Sequence, residues 1–339
     1  MSAPPSHPAS HESPLQDEIP RWHPARVFFR AHLGGAVRKV PLDAGFSCPN
    51  RDGTISRHGC SFCNPAGSGT GLHAQGLDLS IQWQRLVPRA LVREPKAKLL
   101  AYLQAYTNTH AAPERLRGVL AEVAALPGLS GLCLGTRPDC LDVDGDHARL
   151  DILAQAELPF VRLDLGLQSA DDAVLAKANR GHGAEVFARA VRAAAARGIF
   201  VCVHLVHGLP GAGPEDLVQS VEFLNALPVT AVKFHNLLVC RGTALERQWR
   251  AGELVLSGLE NYVFELIRAL ERLRPDICVE RVFADAAPGE LVAPEWAADK
   301  TAALALARRE MQRRNTWQGR VGFCPEALPD WSMYYKETA

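Results

Sequence analysis

The sequence predicts an α/β fold built on a parallel sheet with helices outside it, and three observations carry that prediction. Short apolar runs at residues 98–105, 131–135, 160–165, 200–205 and 231–238 alternate with helix-period stretches near 80–92, 113–125, 147–156, 184–196 and 215–226. The apolar runs lead into distinctive polar segments, among them Gln104 to Thr109, Thr136 to Asp139, Asp164 to Ser169, His207 to Gly211 and His235-Asn236. The chain is also large enough for a substantial core, at 339 residues with 47% hydrophobic and 22% charged positions. Repeated βα units build a parallel sheet, either open or curled into a barrel, and ligands gather at the C-terminal ends of its strands.

Residues 2–18 are rich in Pro, Ser and His and lack the basic-then-apolar order of a secretion signal, so a disordered tail over 1–25 and a cytoplasmic location are expected. Residues 26–30 and 37–42 read as short strands around the turn at Gly34-Gly35. A Cys/Gly/Pro-rich loop follows from 45 to 71, longer than compact domains usually tolerate without a function. Beyond residue 255 the pattern gives a helix near 257–273, a strand near 276–283 and a helix near 299–314. The expected division is therefore a barrel over 26–255, an extension packed on it over 256–325, and a tail over 326–339.

Thirty-seven basic residues balance 37 acidic ones, so no global field draws the chain toward nucleic acid or an anionic membrane. No apolar run reaches the length of a membrane span; the longest candidate, 226–240, is broken by Lys233 and His235. Arg247, Arg250, Arg268, Arg272, Arg274, Arg308, Arg309, Arg313 and Arg314 would form an RNA-binding face if they cluster unpaired.

Nine cysteines suit free thiols in a reducing compartment better than a disulfide framework. Cys48, Cys60 and Cys63 follow C-x11-C-x2-C, a spacing that grips one metal ion or the corners of a cluster. Soft thiolates select iron–sulfur or zinc, and a closed zinc site would draw its fourth ligand from His58 or His73. Three cysteines on a cubane instead leave one iron open to a co-substrate. Cys133, Cys202, Cys240 and Cys278 lie in or beside apolar runs and read as buried packing residues, while Cys140 and Cys324 read as packing residues or as second-site thiols that meet substrate. Gly67, Gly69 and Gly71 lack the Lys-Ser/Thr of a phosphate loop. Arg137 and Asp139 read as a local ion pair, and His204 and His207 as structural hydrogen-bonders.

At SCPNRDGT and GCSFCN (47–64), LQAYTNT (103–109), GTRPDCL (135–141), LGLQSADDAVLAKANRGH (165–182), HLVHGLPG (204–211), DAAPGELVAPEWAADK (285–300) and QGR (318–320), the sequence resembles the radical SAM superfamily. Within it, the resemblance is to YhcC-type proteins related to the catalytic subunit of elongator. The resemblance implies a partial (β/α)6 TIM-like barrel of the radical SAM type with a C-terminal α/β extension. It further implies a [4Fe-4S] cluster on Cys48, Cys60 and Cys63, and S-adenosylmethionine (SAM) near Phe62, Gln104, Asn108, Asp164, Gln168 and Arg180. Phe62 is expected on the adenine, Gln104 and Asn108 near the amino group, and Asp164 with Gln168 at the ribose hydroxyls. The implied activity is reductive cleavage of SAM to a 5′-deoxyadenosyl radical that abstracts hydrogen from a substrate, with an external electron donor such as flavodoxin or ferredoxin. An RNA-modifying radical SAM enzyme and a non-catalytic zinc-binding interaction protein are the alternatives.

Overall fold

The computed structural model describes residues 19–67, 69–142 and 144–335, so most of the tail expected over 1–25 lies outside the described residues. The elements run α1 (Ala25–Leu33), β1 (Val37–Leu42), α2 (Leu79–Leu91), β2 (Lys98–Leu103), α3 (Pro113–Ala124), β3 (Leu129–Thr136), α4 (Ala148–Ala154), β4 (Val161–Gln168), α5 (Asp172–Lys177), α6 (Ala184–Ala195), β5 (Phe200–His207), α7 (Asp216–Asn225), β6 (Ala231–Asn236), β7 (Val239–Cys240), α8 (Ala244–Arg250), α9 (Leu259–Arg272), β8 (Cys278–Arg281), β9 (Leu291–Ala293) and α10 (Lys300–Arg313). Strands β1 to β6 and then β8 pair in parallel in that spatial order, forming one seven-stranded sheet. Because spatial order equals chain order, every crossover advances the same way and stacks its helix on the same face. The sheet must then curl away from the helices. β7 and β9 form a separate antiparallel pair.

The convex face carries Leu42, Leu103, Leu134, Leu165, Val203 and Phe234, which join helix residues such as Phe187, Val191, Leu217 and Val221 in the main core. The concave face alternates with it. Its lowest layer is Leu100, Cys133, Cys202, Ala231 and Cys278, capped from below by Phe28 and Phe29 of α1 and by Phe160. Helix α1 thus plugs the N-terminal end of the curled sheet. Residues 26–30, expected as a strand, belong to this helix because Ala25, Phe28, Phe29 and Leu33 recur at helical spacing and Gly34, at φ 73°, closes it with an N–H to the Arg30 carbonyl.

The next layer is charged. Lys39 of β1 pairs with Glu280 of β8, so the first and last strands meet through the interior. Glu280 also accepts from Arg162 of β4 at 2.5 Å and Lys233 of β6 at 3.3 Å, while Asp164 of β4 is held by Arg162 at 2.8 Å and Lys233 at 2.5 Å. Burial alone would keep both carboxyls protonated, but the surrounding cations hold them well below the usual carboxylate range. Three cations face two carboxylates in this belt.

The boundary expected at residue 255 falls inside the sheet, since β8 pairs in parallel with β6, from Ala231↔Cys278 to Lys233↔Arg281 across one register shift. The segment read as a packed extension therefore supplies the seventh strand. Both ends of the described chain are bound to it. His23 donates its backbone N–H to Gln318 at 2.8 Å, and its carbonyl accepts from Val279 at 2.8 Å. The His23 ring stacks on Trp331 and bonds the Tyr335 hydroxyl at 3.0 Å.

Removing Glu280 leaves Lys39, Arg162 and Lys233 facing Asp164 alone in a buried layer. Glu280→Ala is expected to cost about 3–5 kcal/mol in urea-monitored unfolding. A loss below about 1 kcal/mol would show that the belt does not hold the curl.

Candidate active site at the C-terminal ends of the strands

A cavity of about 540 Å³ opens where the strands end. Cys48, Cys60, Cys63, Phe62, Gln104, Asp164, Gln168 and Arg180 all line it, although the sequence scatters them over some 130 positions.

The cysteine loop is shaped by its own polar groups. The Cys48 carbonyl accepts from the backbone N–H groups of Arg51 and Asp52, at 2.8 and 3.0 Å, and the Cys60 carbonyl accepts from Cys63 at 3.0 Å. Arg51 spans the loop, donating to the carbonyls of Cys63 at 2.9 Å and Asn64 at 2.5 Å, with its guanidinium over the Tyr106 ring. Tyr106 in turn donates its hydroxyl to the Pro65 carbonyl at 2.7 Å. The segment after α5 clamps the loop from outside: Asn179 donates to the Gly59 carbonyl at 2.6 Å, and the Ala178 carbonyl accepts from Ser61 at 3.0 Å.

Arg180 leaves that segment and reaches the Cys60 sulfur at 3.4 Å and the Gly166 carbonyl at 2.8 Å. Asn50 donates to the same sulfur at 3.5 Å. Burial opposes ionisation of Cys60, but Arg180, Arg137 and Asn50 outweigh it and hold the thiol below its ordinary value. At Cys63 burial wins over Arg51 and the thiol is pushed up. A Cβ at Gly166 would meet the ends of the Gln168 amide and, at 2.5 Å, the Arg180 guanidinium, so a larger residue there must displace both side-chain ends. Gln168 sits at φ 79°, just past a break in the register between β4 and β5, and this turns its side chain over the cavity.

Two sequence expectations change. Asn108 does not face the cavity: its amide N–H₂ is spent on the carbonyls of Leu103, Ala105 and Gly135, at 3.0, 3.0 and 2.8 Å, and so pins the turn after β2. Asp164 does reach the cavity, but as part of the charged floor, where Arg162 and Lys233 already occupy its oxygens. The local pair Arg137–Asp139 forms, at 2.8 Å, and His207 bonds Glu265 at 2.7 Å. His235 and Asn236 line the cavity as their strand-end position led one to expect, whereas Arg51, Tyr102 and Arg281 line it without having been singled out, although Arg51 lies three residues after Cys48. Cys240, read as packing only, is buried but also forms part of the wall. Six of the nine arginines considered for a nucleic-acid face are ion-paired: Arg250 with Glu246, Arg268 with Glu215, Arg272 with Glu222, Arg274 with Asp276, and Arg313 and Arg314 with Glu310. No helix among the described residues is long and apolar enough to cross a membrane.

Burial pushes several imidazoles down, His23 and His204 to about 4 and His182 to about 3, and His235 is likewise held well below its ordinary value. The folded chain refuses protons that the unfolded chain accepts below pH 6.5, so stability must fall as the pH drops from 6.5 toward 4. Each such group contributes up to about 1.4 kcal/mol per pH unit in that window. Denaturant titrations at pH 7, 6 and 5 are expected to show this decline, and His204→Gln should remove about one proton from its slope. An unchanged slope in that variant would mean that His204 is protonated in the fold.

The sequence and fold comparisons agree with this geometry. Residues 53–224 match the model of the radical SAM superfamily, and residues 229–313 match the radical SAM C-terminal domain. The uncharacterized protein YtqA of Bacillus subtilis is 33% identical over 91% of this chain and 94% of its own length. Protein YhcC of Escherichia coli is 38% identical over 78% of this chain and 83% of its own. Among solved structures, the archaeal Elp3 of Methanocaldococcus infernus, with its N-terminus deleted, superposes with a TM-score of 0.64 at 18% identity, covering 87% of this chain and 69% of that one. That likeness shows the partial-barrel fold over the part of the chain that it covers. The family implies SAM and an iron–sulfur cluster, and a three-thiol cavity walled by guanidinium groups is a donor set that fits both. By the family match, by relatives of nearly full length and by the curled parallel sheet, the chain belongs to the radical SAM superfamily.

Proposed function

We propose that this chain is a radical SAM enzyme that holds a [4Fe-4S] cluster on Cys48, Cys60 and Cys63 and binds SAM beside it. The observation that carries the reading is the convergence of three thiols and the Arg180 guanidinium on one cavity at the strand ends. Held there by Cys48, Cys60 and Cys63 and reduced by an external carrier such as flavodoxin or ferredoxin, the cluster would supply the electron for reductive cleavage of SAM to methionine and a 5′-deoxyadenosyl radical, the chemistry that abstracts hydrogen from a substrate.

The chain's own residues do the rest. Arg180 offers a charge-assisted fork to the SAM carboxylate, and the bare backbone at Gly166 leaves it room. Phe62 presents its ring to the adenine, and Gln104 with Gln168 offers amide donors and acceptors to the amino and ribose groups. With the Asp164 carboxylate spent on Arg162 and Lys233, Gln168 is the better partner for the ribose. Val206, Leu237 and Leu238 line the wall and keep water from a reactive intermediate.

Anaerobic reconstitution, dithionite reduction and chromatographic assay of 5′-deoxyadenosine test the reading directly. The native chain is expected to turn brown and form deoxyadenosine, and Cys60→Ala to form none. A colourless protein that binds one zinc ion and yields no deoxyadenosine would replace the radical reading with a zinc one. Gly166→Ala, which displaces Arg180 and Gln168 but leaves all three cysteines in the chain, is expected to retain the cluster spectrum while SAM affinity falls by about tenfold or more. Native affinity in that variant would remove Arg180 and Gln168 from the SAM site.

A further inference from the structure

The cavity has a second wall that the SAM assignment leaves unused. It is formed by the ends of β5, β6 and β8 and includes His204, His235, Asn236 and Arg281. Asn236 is only 3% exposed, and its Oδ1 accepts the backbone N–H of Ala284 at 2.9 Å. That bond fixes the amide orientation, so Nδ2 is the atom left over, and it has no hydrogen-bond partner. The neighbouring His235 has a buried Nε2 that is also unpartnered, and its ring stacks on His204 at 5.1 Å. Two buried nitrogens without partners on adjacent residues are costly unless something completes them.

The charge around them has a definite sign. Asp285 is matched by Lys300 at 2.5 Å, and Arg281 reaches the same carboxylate only at 3.7 Å. One carboxylate thus serves two cations. The belt beneath, with Lys39, Arg162 and Lys233 against Asp164 and Glu280, also carries one cation in excess. The remaining wall carboxylate, Glu290, accepts from Asn64 at 2.7 Å. A donor amide and a loosely paired guanidinium over a positive floor complement a negatively charged oxygen, and the neutral His235 ring adds a donor in the tautomer that carries its proton on Nε2.

We propose that this wall is the substrate subsite and that the substrate is a small molecule bearing an oxyanion, a carboxylate or phosphate group, bound by Asn236, His235 and Arg281. The inference rests on the reading that Arg180 and its neighbours take SAM, which leaves this wall to the substrate.

The test uses the full chain, reconstituted anaerobically and saturated with SAM, and titrates it calorimetrically with inorganic phosphate and, separately, with acetate. Native protein is expected to bind one of the two, and the preferred ion identifies the group. Asn236→Asp keeps the acceptor for Ala284 and converts the free donor into a carboxylate, so it should weaken binding by about tenfold or more. Arg281→Gln should weaken it similarly, with Arg281→Lys recovering most of the loss and thermal midpoints confirming that the variants fold. Absence of anion binding in the native chain, or equal binding in native and Asn236→Asp protein, would overturn the subsite. If SAM fails to bind the native chain while the anion still responds to Asn236→Asp, the SAM reading falls and the anion site stands.

Discussion

The buried belt of Lys39, Arg162, Asp164, Lys233 and Glu280 is the constraint on which the remaining architecture rests. A parallel sheet with helices on one face has a concave surface that must be filled, and seven strands do not suffice to close it with backbone hydrogen bonds. Charges from β1, β4, β6 and β8 meet at the axis instead and tie the first strand to the last. Ionic ties of this kind are directional where apolar packing is not, so the belt fixes curvature as well as cohesion. It also divides the interior. Below it lie aromatic rings and inert cysteines; above it lies the polar cavity.

That division explains how one chain keeps cysteines in two chemical roles. Cys133, Cys202 and Cys278 are fully buried against the underside of the belt, where burial pushes each thiol up and disfavours the thiolate. Cys60 is equally deprived of water, yet Arg180 and Asn50 bond its sulfur and reverse the outcome. Depth does not distinguish them; the neighbouring donors do. The loop that bears Cys60 is in turn anchored by residues from distant strands and helices, so its shape depends on the curl that the belt maintains.

Much of this was legible in the sequence. The βα alternation placed β2 to β6 and their helices, because period-2 and period-3.6 patterns alternate cleanly there, and it placed the functional segments at strand ends. The cysteine loop declared itself by composition. What was not legible depended on direction or on distance. The run 26–30 is apolar enough for a strand, and only its pairing with Leu33 and Gly34 reveals a helix. Asn108 sits in the right segment, but spacing does not tell where an amide points. Arg162 and Glu280 are 118 positions apart, and nothing local in either strand announces the partner. The membership of β8 in the main sheet was hidden for the same reason, since its register is set by contact with β6.

The binding of both ends of the described chain has a practical geometric consequence. His23, Gln318, Trp331 and Tyr335 gather beside the start of β8 and under α1, at the pole where the strands begin. The cavity opens at the other pole. A label placed at Met333, which is exposed between Trp331 and Tyr335, therefore stands a full strand length from the mouth and leaves the cavity facing solution.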